Sequence, residues 1–497
     1  MIQSVSIADL MSQSGVAFGT SGARGLVSAM TDRVCFAYTC AFLQHLADIG
    51  QFGPGRHVAI AGDLRPSSPR IMAACAAAVR HMGGTVDNCG FVPSPAVAAH
   101  GFRQAIPSLM VTGSHIPDDR NGIKFNRTDG EVLKPDELSI RDQSVVLPDL
   151  FDEEGMLKDT QPVEPDLDVV TAYVARYFDV FGPRALAGMK LGIYEHSAVG
   201  RDILGALVSA LGGEAVSLGR SERFIPVDTE AVRPEDQKLA RQWARELKLD
   251  AILSTDGDSD RPLLADETGA WMRGDILGIL CARALGIDAI ATPVSSNSSV
   301  ELSGLFKIVR RTRIGSPFVI EAMNGLVDEG PTGVCGYEAN GGFLLATPVK
   351  IGNQTLAALP TRDAVLPILA VLVDAQRRGV TLSKLQAQLP SRHTFSERLQ
   401  NYPTAHSQAL ISHLERGSEA EILERLTAIF GDLAGEADGI DRTDGLRIHF
   451  ARGDIIHLRP SGNAPELRCY TESGTAERTK FLNEKTLILV KNMALQV

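Results

Sequence analysis

The sequence lacks the long apolar runs from which membrane-spanning helices are built. Its longest apolar run, residues 364–373, contains Pro367 and is far shorter than the roughly 20 residues needed to cross a bilayer. Residues 1–15 contain no basic stretch followed by an apolar stretch, so no signal peptide is expected. These absences predict a cytoplasmic protein with no membrane partner.

Paired cysteines and an excess of basic residues are missing as well. The seven cysteines are scattered without a C-x-x-C pair, which is typical of reduced thiols and not of a disulfide framework. The formal net charge of −11 argues against a nucleic-acid partner, because such a partner usually requires a basic face. An anionic substrate is not excluded, since arginines can make a cleft locally basic in an acidic protein.

Nucleotide-binding motifs are a third absence. The sequence contains no G-x-x-x-x-G-K-[ST], and its stretch F-G-T-S-G-A-R-G at residues 18–25 lacks the spacing G-x-G-x-x-G. Binding of a nucleotide is therefore not expected. This stretch instead offers a glycine-rich loop with one arginine, Arg24.

The composition is that of an ordinary globular protein with several domains. Hydrophobic residues make up 44% of the chain and charged residues 22%. A length of 497 residues corresponds to three or four domains of roughly 150 residues each. Strands followed by helices recur at about hundred-residue spacing, which predicts repeated α/β domains with parallel or mixed sheets. The strand–helix pairs are 57–63 with 69–82, 189–194 with 199–211, and 288–292 with 298–305.

The C-terminal part of the chain follows a different pattern. Residues 152–168 are acidic and proline-rich and predict a linker, whereas the change of pattern comes near residue 378. Helical patterns followed by alternating strands predict an α+β domain with an antiparallel sheet. The predicted helices are 407–416 and 419–430, and the strands are 446–450, 454–459 and 467–471.

The first chemical signal is T-G-S-H-I-P at residues 112–117. Residues 108–111 predict a strand, and Ser114 lies in the loop that follows it. Active sites of open α/β sheets usually lie at such strand ends. By itself, however, a serine in a turn is more often a local hydrogen-bonding residue.

Three carboxylates at alternate positions form a sharper signal. Asp256, Asp258 and Asp260 follow a predicted strand at residues 251–255. Their mutual repulsion requires a cation or strong hydrogen bonds, which favours a site for a hard cation, and Mg²⁺ is the expected ion. An EF-hand calcium loop is disfavoured, because Arg261 stands at the sixth position, where that loop needs glycine. A solvated acidic turn remains the alternative.

Two further loops carry groups suited to sugars and phosphates. In G-Y-E-A-N-G-G-F at residues 336–343, Glu338 and Asn340 can form hydrogen bonds with vicinal hydroxyls. In R-P-S-G-N at residues 459–463, Arg459 offers a planar fork for phosphate oxygens, and the donors that follow complete an anion nest. Ordinary glycine and proline turns are the alternatives for both loops.

Taken together and in this order, the motifs resemble those of the α-D-phosphohexomutase family over the whole chain. The matching signatures are T-S-G-x-R-G, T-x-S-H-x-P, D-G-D-x-D-R, G-x-E-x-x-G and R-P-S-G. The resemblance implies a heart-shaped architecture of four domains, three related α/β domains and a C-terminal α+β domain, each lending one loop to a central cleft. The expected domains are 1–160 with the phosphoserine loop, 166–272 with the metal loop, 273–377 with the sugar loop and 378–497 with the phosphate loop.

The resemblance also implies roles for individual residues. Ser114 is expected to carry the phosphoryl group and to bind one Mg²⁺ per active site together with Asp256, Asp258 and Asp260. Arg261 is expected beside that phosphate. Arg24 and Lys124 are both candidates for proton transfer and charge stabilisation, and which of them is the general acid or base stays open. The expected substrate-binding residues are Thr20, Ser21, His115, Glu338, Asn340, Arg459, Ser461, Gly462 and Asn463.

The implied reaction exchanges phosphate between two positions of a hexose. Ser114 donates its phosphoryl group to a hexose monophosphate, which gives a hexose 1,6-bisphosphate that serves as intermediate and activator. The other phosphate of this intermediate then returns to Ser114. A small phosphosugar is the expected partner, and the expected assembly is a monomer or a homodimer.

Some residues depart from the family pattern. Gly113 stands where many members have alanine and Asn463 where many have threonine, and both changes look tolerable. The loop 313–317 has no histidine after its glycine, and residues 295–297 have no lysine, although some members carry one at each place. These departures weaken the transfer of substrate contacts more than the transfer of the reaction.

Mannose and glucose phosphates are the predicted substrates, with a slight preference for mannose. Glu338 and Asn340 are expected to bind the 3- and 4-hydroxyls, which are alike in the two sugars. The sequence E-A-N-G-G resembles loops of phosphomannomutases, which favours mannose. A phosphoglucosamine mutase and a catalytically silent phosphosugar-binding protein are the alternatives.

Overall fold

The computed structural model describes residues 3–19, 22–159, 164–461 and 465–493. Strands and helices alternate through most of the chain, as the sequence predicts. The helices are α1 Ile7–Ser14, α2 Asp32–Asp48, α3 Ser68–His81, α4 Ser94–Gln104, α5 Lys134–Arg141, α6 Val170–Phe181, α7 Arg201–Ala210, α8 Pro234–Leu247, α9 Gly274–Ala284, α10 Ser299–Leu302, α11 Ser316–Asp328, α12 Val365–Arg378, α13 Leu382–Gln386, α14 Thr404–Leu414, α15 Glu419–Ala434 and α16 Ala476–Met493. The strands are β1 Gln3–Ser6, β2 Ala17–Phe18, β3 Ala23–Leu26, β4 His57–Gly62, β5 Thr85–Phe91, β6 Ser108–Val111, β7 Arg120–Asn126, β8 Ser144–Leu147, β9 Lys190–Tyr194, β10 Glu214–Leu218, β11 Ala251–Thr255, β12 Pro262–Ala265, β13 Ala289–Pro293, β14 Ile308–Thr312, β15 Val334–Tyr337, β16 Phe343–Leu345, β17 Val349–Ile351, β18 Gln354–Leu356, β19 Leu359–Asp363, β20 His393–Leu399, β21 Ala437–Asp441, β22 Leu446–Phe450, β23 Ile455–Pro460 and β24 Leu467–Ser473.

Contacts between residues divide the chain into two compact units. The first unit comprises residues 1–288 and 323–386, and the second comprises residues 289–322 and 387–497. The residues that carry most of the predicted chemistry lie in the first unit, and the predicted phosphate loop lies in the second.

The N-terminal sheet of the first unit is mixed, with the strand order β2-β3-β7-β6-β4-β5. β4 pairs in parallel with β5 and β6, whereas β7 pairs antiparallel with β6 and with β3. The carboxyl ends of β4 and β6 therefore meet at one edge of the sheet. Because β7 and β3 are the next strands along, this arrangement brings the loop after β6 close to side chains of β7 and β3.

Helix α2 fills the core beside this sheet. The hydroxyl of Thr31 caps it by accepting a hydrogen bond from the N–H of Val34, at 3.4 Å. Most of its 17 residues are buried, so the helix is enclosed nearly all round. Helix α12 contains the longest apolar run and is also buried, and its Pro367 lies in the first turn, where a proline costs no helical hydrogen bond. Among the described residues, no helix is both long and apolar enough to span a membrane.

In the first unit, two other groups of strands are connected by the loops in which the sequence predicts site residues. β10, β9 and β11 are parallel, and β12 folds back antiparallel to β11, so that residues 256–261 form the connection between them. β15 and β16 are likewise antiparallel and are joined by residues 338–342, and β19 pairs antiparallel with β16. Each predicted loop thus lies at the end of a buried strand.

The second unit contains the parallel pair β13 and β14 and an antiparallel sheet in the order β20-β24-β23-β22-β21. Apolar side chains of α14, α15 and α16 pack on this sheet and form one core. The prediction of antiparallel strands beside helices in the C-terminal segment is therefore confirmed. Arg459 lies near the end of β23.

Two local predictions differ from the structure. The helix predicted at 298–305 is only the short α10, because Gly304 adopts φ +62° and the Ser298 hydroxyl binds the carboxylate of Glu472. The acidic segment predicted as a linker is partly anchored, since the Asp166 carboxylate accepts a hydrogen bond from the N–H of Asn88 at 2.8 Å.

Candidate active site

Ser114 lies in the loop after β6, where it is fully buried and has φ +57°, in the left-handed region. This conformation is costly for a residue with a Cβ and persists only where the surroundings impose it. Here its N–H donates to Thr112 Oγ1 at 2.7 Å, and its C=O accepts from Arg65 Nη2 at 2.7 Å. As a result, its hydroxyl points at the predicted metal loop and donates to Asp256 Oδ2 at 2.6 Å.

The three predicted carboxylates do converge. Asp256, Asp258 and Asp260 are all buried, and one oxygen from each lies within 4.8 Å of the others. The Oδ1 atoms of Asp258 and Asp260 are buried and accept no hydrogen bond from any described residue. Buried carboxylate oxygens without donors fit a hard cation. Strands flank this loop on both sides, which is not the helix–loop–helix arrangement of an EF-hand.

The three carboxylates differ in their electrostatic environment. Burial, followed by repulsion from Asp258 and Asp260, raises the pKa of Asp256 well above its usual value. Burial also opposes ionisation of Asp258, but the charge and hydrogen bond of Lys124, with help from Ser94 and Arg362, together outweigh it and lower the pKa of that carboxyl. The pKa of Asp260 is lowered as well, because the guanidinium of Arg362 helps to outweigh its burial.

Lys124 contacts two of the three carboxylates of the triad. It stands opposite Met110 in the pairing of β7 with β6, which carries its side chain to the triad. Its Nζ lies 2.5 Å from an oxygen of Asp258 and 2.5 Å from an oxygen of Asp260. Ser94, at the start of α4, adds a hydrogen bond of 2.5 Å to Asp258. Nothing in the sequence around Ser94 marked it as part of the site.

Two arginines and a histidine lie around the serine. Arg261 donates from Nη1 to His115 Nδ1 at 3.0 Å. Burial, followed by the positive charge of Arg261, lowers the pKa of His115 to about 3, so its ring is a neutral acceptor. Arg24, which faces Gly122 across β3 and β7, has a buried Nε with no hydrogen-bond partner among the described residues. Burial, followed by repulsion from Arg261, lowers the pKa of Arg24 to about 10.

The predicted sugar loop offers one acceptor and one amide group. Glu338 is buried, and its Oε2 has no hydrogen-bond partner in the described part of the chain. The side-chain oxygen of Asn340 accepts from the N–H of Gly342 at 3.0 Å, which leaves the NH₂ group as its donor. A hydrogen bond from Thr229 to the backbone oxygen of Asn340, at 2.6 Å, fixes the loop.

Arg362 is a cation of this site that the sequence did not mark. It lies on β19, where Nε is 3.0 Å from Asp260 Oδ2 and Nη1 is 3.5 Å from Glu338 Oε2. It therefore joins the loop of the carboxylate triad to the predicted sugar loop. The only sequence signal is an arginine at the end of a strand, and the pairing of β16 with β19 is needed to place it.

Comparisons with known proteins agree with this geometry. Sequence models described as phosphoglucomutase/phosphomannomutase alpha/beta/alpha domains I, II and III match residues 15–144, 171–269 and 273–393, and that of the C-terminal domain matches residues 414–487. A phosphomannomutase from Salmonella muenchen is 43% identical over 97% of this chain and 97% of its own length. The chain belongs to the phosphoglucomutase/phosphomannomutase family.

Other relatives support the same assignment. A phosphomannomutase from Sinorhizobium fredii (strain NBRC 101917 / NGR234) is 42% identical over 96% of this chain and 99% of its own length. A crystal structure of a phosphoglucomutase/phosphomannomutase family protein from Burkholderia thailandensis superposes with a TM-score of 0.73 at 19% identity, over 99% of this chain and 98% of that one. The predictions of the family, of its four-domain α/β architecture and of a phosphohexomutase, which is an isomerase, are confirmed.

The structure of this phosphohexomutase places most of the predicted site residues together in the first unit. These residues are Arg24, Ser114, His115, Lys124, Asp256, Asp258, Asp260, Arg261, Glu338 and Asn340. Arg459 and Ser461 lie in the second unit, where Arg459 Nε donates to Asp444 Oδ2 at 2.7 Å and the N–H of Ser461 donates to the oxygen of Glu466 at 2.9 Å. Thr20, Ser21, Gly462 and Asn463 lie outside the described residues. The roles assigned to these residues remain predictions.

Proposed function

We propose that this phosphohexomutase interconverts hexose 6-phosphate and hexose 1-phosphate through a phosphorylated Ser114 and a hexose 1,6-bisphosphate intermediate. The observation that carries the proposal is the 2.6 Å hydrogen bond from the Ser114 hydroxyl to Asp256 Oδ2, beside two buried carboxylate oxygens that lack donors. A phosphoserine carries nearly two negative charges at neutral pH. The positively charged side chains around Ser114 are proposed to offset that charge.

The carboxylate triad is proposed to hold one Mg²⁺ per active site. Asp256, Asp258 and Asp260 supply few protein ligands, which suits Mg²⁺ because this ion usually completes its octahedron with phosphate oxygens and water. An oxygen of the phosphoryl group on Ser114 is the proposed fourth ligand. When bound, the ion supplies positive charge that neutralises the transferring phosphoryl group.

Phosphoryl transfer then depends on positioning and on the residues that surround Ser114. A free hydroxyl of the hexose monophosphate forms a bond to phosphorus while the bond from phosphorus to Ser114 Oγ breaks. The hydroxyl loses its proton to a base, and Ser114 Oγ takes up a proton. Lys124 and Arg24 are the two candidates for moving these protons, and both lie on strands next to the serine loop. The reverse sequence returns the other phosphoryl group of the bisphosphate to Ser114.

Two loops are proposed to bind the parts of the sugar that do not react. Glu338 Oε2 lies 3.5 Å from Arg362 Nη1 but makes no hydrogen bond to any described residue, and it is proposed to accept from one sugar hydroxyl. The NH₂ group of Asn340 donates to a neighbouring one. Arg459 is proposed to grip the phosphate that is not transferred, since the Asp444 carboxylate engages its Nε and leaves the terminal NH₂ groups for a bidentate contact. Ser461, Gly462 and Asn463 are proposed to add donors to that phosphate, and Thr20, Ser21 and His115 to contact the substrate.

The proposed substrates are mannose and glucose phosphates, with a slight preference for mannose. The support is that the 3- and 4-hydroxyls, which Glu338 and Asn340 would bind, do not distinguish the two sugars, and that the two relatives of 42–43% identity carry the name phosphomannomutase. The test is to compare kcat/KM for mannose 1-phosphate, glucose 1-phosphate and glucosamine 1-phosphate under identical conditions.

The expected result is turnover of the first two substrates at similar kcat/KM and poor turnover of the third. A preference of about a thousandfold between mannose and glucose would mean that position 2 is read by a buried polar group, which contradicts the proposed binding mode. The best rate with glucosamine 1-phosphate would replace the proposal with a phosphoglucosamine mutase, and no turnover with any sugar phosphate would leave a phosphosugar-binding protein.

A cytoplasmic location is proposed as well. All seven cysteines are free and buried, as is usual for proteins of a reducing compartment. Labelling of thiols in freshly lysed and unfolded protein should find all of them reduced, whereas a stable disulfide would contradict this location.

A further inference from the structure

We infer that Arg65 is a positioning residue for the reaction and that it holds Ser114 in the conformation needed for transfer. The inference rests on the proposed function, because it assigns Arg65 to the serine that is proposed to carry the phosphoryl group. Arg65 follows β4, whose carboxyl end lies next to that of β6, and the loop of Ser114 follows β6. Its side chain is completely buried, and in the described part of the chain it makes no hydrogen bond to the carboxylate triad or to the predicted sugar loop.

The guanidinium of Arg65 binds the serine loop through four backbone oxygens. Nη2 donates to the oxygens of Ser114 and Ile116, at 2.7 Å each. Nη1 donates to the oxygens of Pro117 and Arg120, at 2.9 and 3.3 Å. Because the guanidinium is planar and its donors diverge, one side chain fixes the whole turn from residue 114 to residue 120. An ammonium has too few donors, and in the wrong directions, to do the same.

Asp63 binds Arg65 and also connects it, through Thr112, to the N–H of Ser114. Its carboxylate accepts from Arg65 Nε at 3.0 Å and from the Thr112 hydroxyl at 2.7 Å. The Thr112 oxygen in turn accepts from the N–H of Ser114 at 2.7 Å. The peptide groups on both sides of the Ser114 Cα are therefore fixed by one ion pair. This explains how a non-glycine residue is kept at φ +57°.

Gly113 and Phe224 also lie in contact with the guanidinium of Arg65. A Cβ on Gly113 would lie 2.7 Å from Cζ and 2.8 Å from Nε of Arg65, which is closer than atoms in contact approach. The guanidinium also stacks on the ring of Phe224, whose centroid lies 4.0 Å from Cζ. The glycine of T-G-S-H-x-P thus leaves room for Arg65, a requirement that the sequence alone did not indicate.

The consequence of this arrangement is a specific kinetic signature. Within the described residues, Arg65 makes no hydrogen bond to the carboxylate triad or to the side chains proposed to bind sugar, and it contacts Ser114 only through the backbone oxygen, so its loss should leave substrate binding intact. A displaced Ser114 hydroxyl should slow the transfer, because an error of about 1 Å at a reacting atom can cost roughly a hundredfold in rate. The loss should therefore appear in kcat and not in KM.

The first test is Arg65→Lys, which keeps the positive charge beside Asp63 but removes the diverging guanidinium donors that bind the four backbone oxygens. We expect kcat to fall by about 10- to 100-fold while KM changes by less than about twofold. Hydrogen exchange of the backbone amides in residues 112–120 should accelerate, with the rest of the chain unchanged. Wild-type kcat with unchanged exchange in that segment would overturn the inference.

The second test is Gly113→Ala, which displaces the same guanidinium by adding a methyl group. Gly53→Ala is the matched control, because a Cβ at Gly53 meets no atom within 4 Å. We expect Gly113→Ala to lower kcat, Gly53→Ala to have no effect, and the double variant Arg65→Lys/Gly113→Ala to be little worse than Arg65→Lys alone. Losses that multiply in the double variant, or a Gly113→Ala enzyme with wild-type kcat, would show that the two residues do not act through one contact.

A mass measurement on the wild-type enzyme separates this inference from the proposed function. If active wild-type protein never carries phosphate on Ser114, the proposed function fails whatever the Arg65 variants do. If wild-type Ser114 is phosphorylated and the Arg65→Lys enzyme equals the wild type, only the role of Arg65 fails.

Discussion

At the scale of single residues, the site is a set of buried charges that offset one another. The carboxylates of Asp258 and Asp260 are balanced by Lys124, which contacts both, and by Arg362, which contacts Asp260. Removing one member of such a set leaves its partner buried and unpaired, which costs more than the contact itself contributes. Substitutions at the site should therefore conserve shape and change one property at a time.

Asp258→Asn should raise the concentration of Mg²⁺ needed for half-maximal activity. The change keeps the shape of the side chain and removes one negative charge from a site with few protein ligands, so an increase on the order of tenfold or more is expected. The measurement is initial rate against Mg²⁺ concentration. Asp179→Asn, at an exposed position of α6, is the control and should behave as the wild type. An unchanged Mg²⁺ requirement in Asp258→Asn would remove Asp258 from the proposed ligands.

Arg459→Lys should weaken substrate binding. An ammonium cannot reproduce the two parallel hydrogen bonds of a guanidinium to phosphate, and losing one charge-assisted hydrogen bond costs about 1.5–3 kcal/mol, or roughly 10- to 100-fold in KM. Arg442→Lys is the control, because Arg442 is half-exposed in the same unit and pairs with Glu415. If KM for the hexose phosphate stayed at the wild-type value in Arg459→Lys, the phosphate would have to be bound elsewhere.

Sequence reasoning identified the residues that stand in dense motifs and missed those that act alone. Ser114 and the aspartates of the metal loop were predicted, because each stands among small residues directly after an apolar strand. Ser94, Arg65 and Arg362 were missed, since each reaches the site from a separate element. Only the pairing of strands and the packing of helices bring such residues together, and neither can be read from their immediate neighbours.

At the scale of elements, the predicted functional residues lie in loops at the ends of strands. β6, β11 and β15 each end in a predicted functional loop. The runs of apolar residues before the loops predicted β6 and β11, whereas β15 was not predicted. The neighbours of β6 could not be predicted in the same way. β3 and β7 mix glycine and polar residues with their apolar ones, so their apolar pattern is weak, although they carry Arg24 and Lys124.

Helix α6 is held to β19 by an aspartate that binds two tyrosines. The Asp363 carboxylate accepts from the hydroxyl of Tyr173 at 2.7 Å and from the hydroxyl of Tyr177, and all three side chains are buried. Burial, followed by the Asp363 charge, raises the pKa of both tyrosines, so both hydroxyls stay protonated as donors. Because Arg362 is the neighbouring residue, this contact also steadies the active-site strand.

Tyr177→Phe should therefore lower the free energy of unfolding by about 1–3 kcal/mol, the usual cost of leaving a buried carboxylate with one donor fewer. Urea unfolding monitored by circular dichroism measures this difference. Tyr402→Phe is a matched control, since the Tyr402 hydroxyl makes no hydrogen bond within the described residues. Equal stability of Tyr177→Phe and the wild type would show that Tyr173 and the N–H of Val365, which also donates to Asp363 at 3.0 Å, satisfy this carboxylate without Tyr177.

At the scale of the whole molecule, the order of motifs was more informative than any one motif. Each motif alone had an ordinary turn as an alternative, whereas their order along the chain predicted the family and its four α/β and α+β domains, which the comparisons confirm. The grouping of residues 289–322 with the C-terminal segment could not be predicted, because it depends on contacts between segments far apart in sequence.

Removal of divalent cations should abolish turnover reversibly. With the ion gone, the charge of a phosphoserine faces the buried triad without compensation, so transfer should stop while the protein stays folded. Dialysis against excess chelator, followed by return of Mg²⁺, tests this by activity and by circular dichroism. Full activity in chelator would mean that the triad serves no metal ion in the reaction.

The central claim is that Ser114 carries the phosphoryl group during turnover, and mass spectrometry tests it most directly. The enzyme is incubated with hexose 1,6-bisphosphate, and a portion is then chased with hexose 6-phosphate. The account predicts one added phosphate on the peptide that contains Ser114, its transfer to the sugar during the chase, and no phosphate and almost no turnover in Ser114→Ala. Near-normal turnover by Ser114→Ala, or an active wild-type enzyme with no phosphate on Ser114 at any stage, would contradict it.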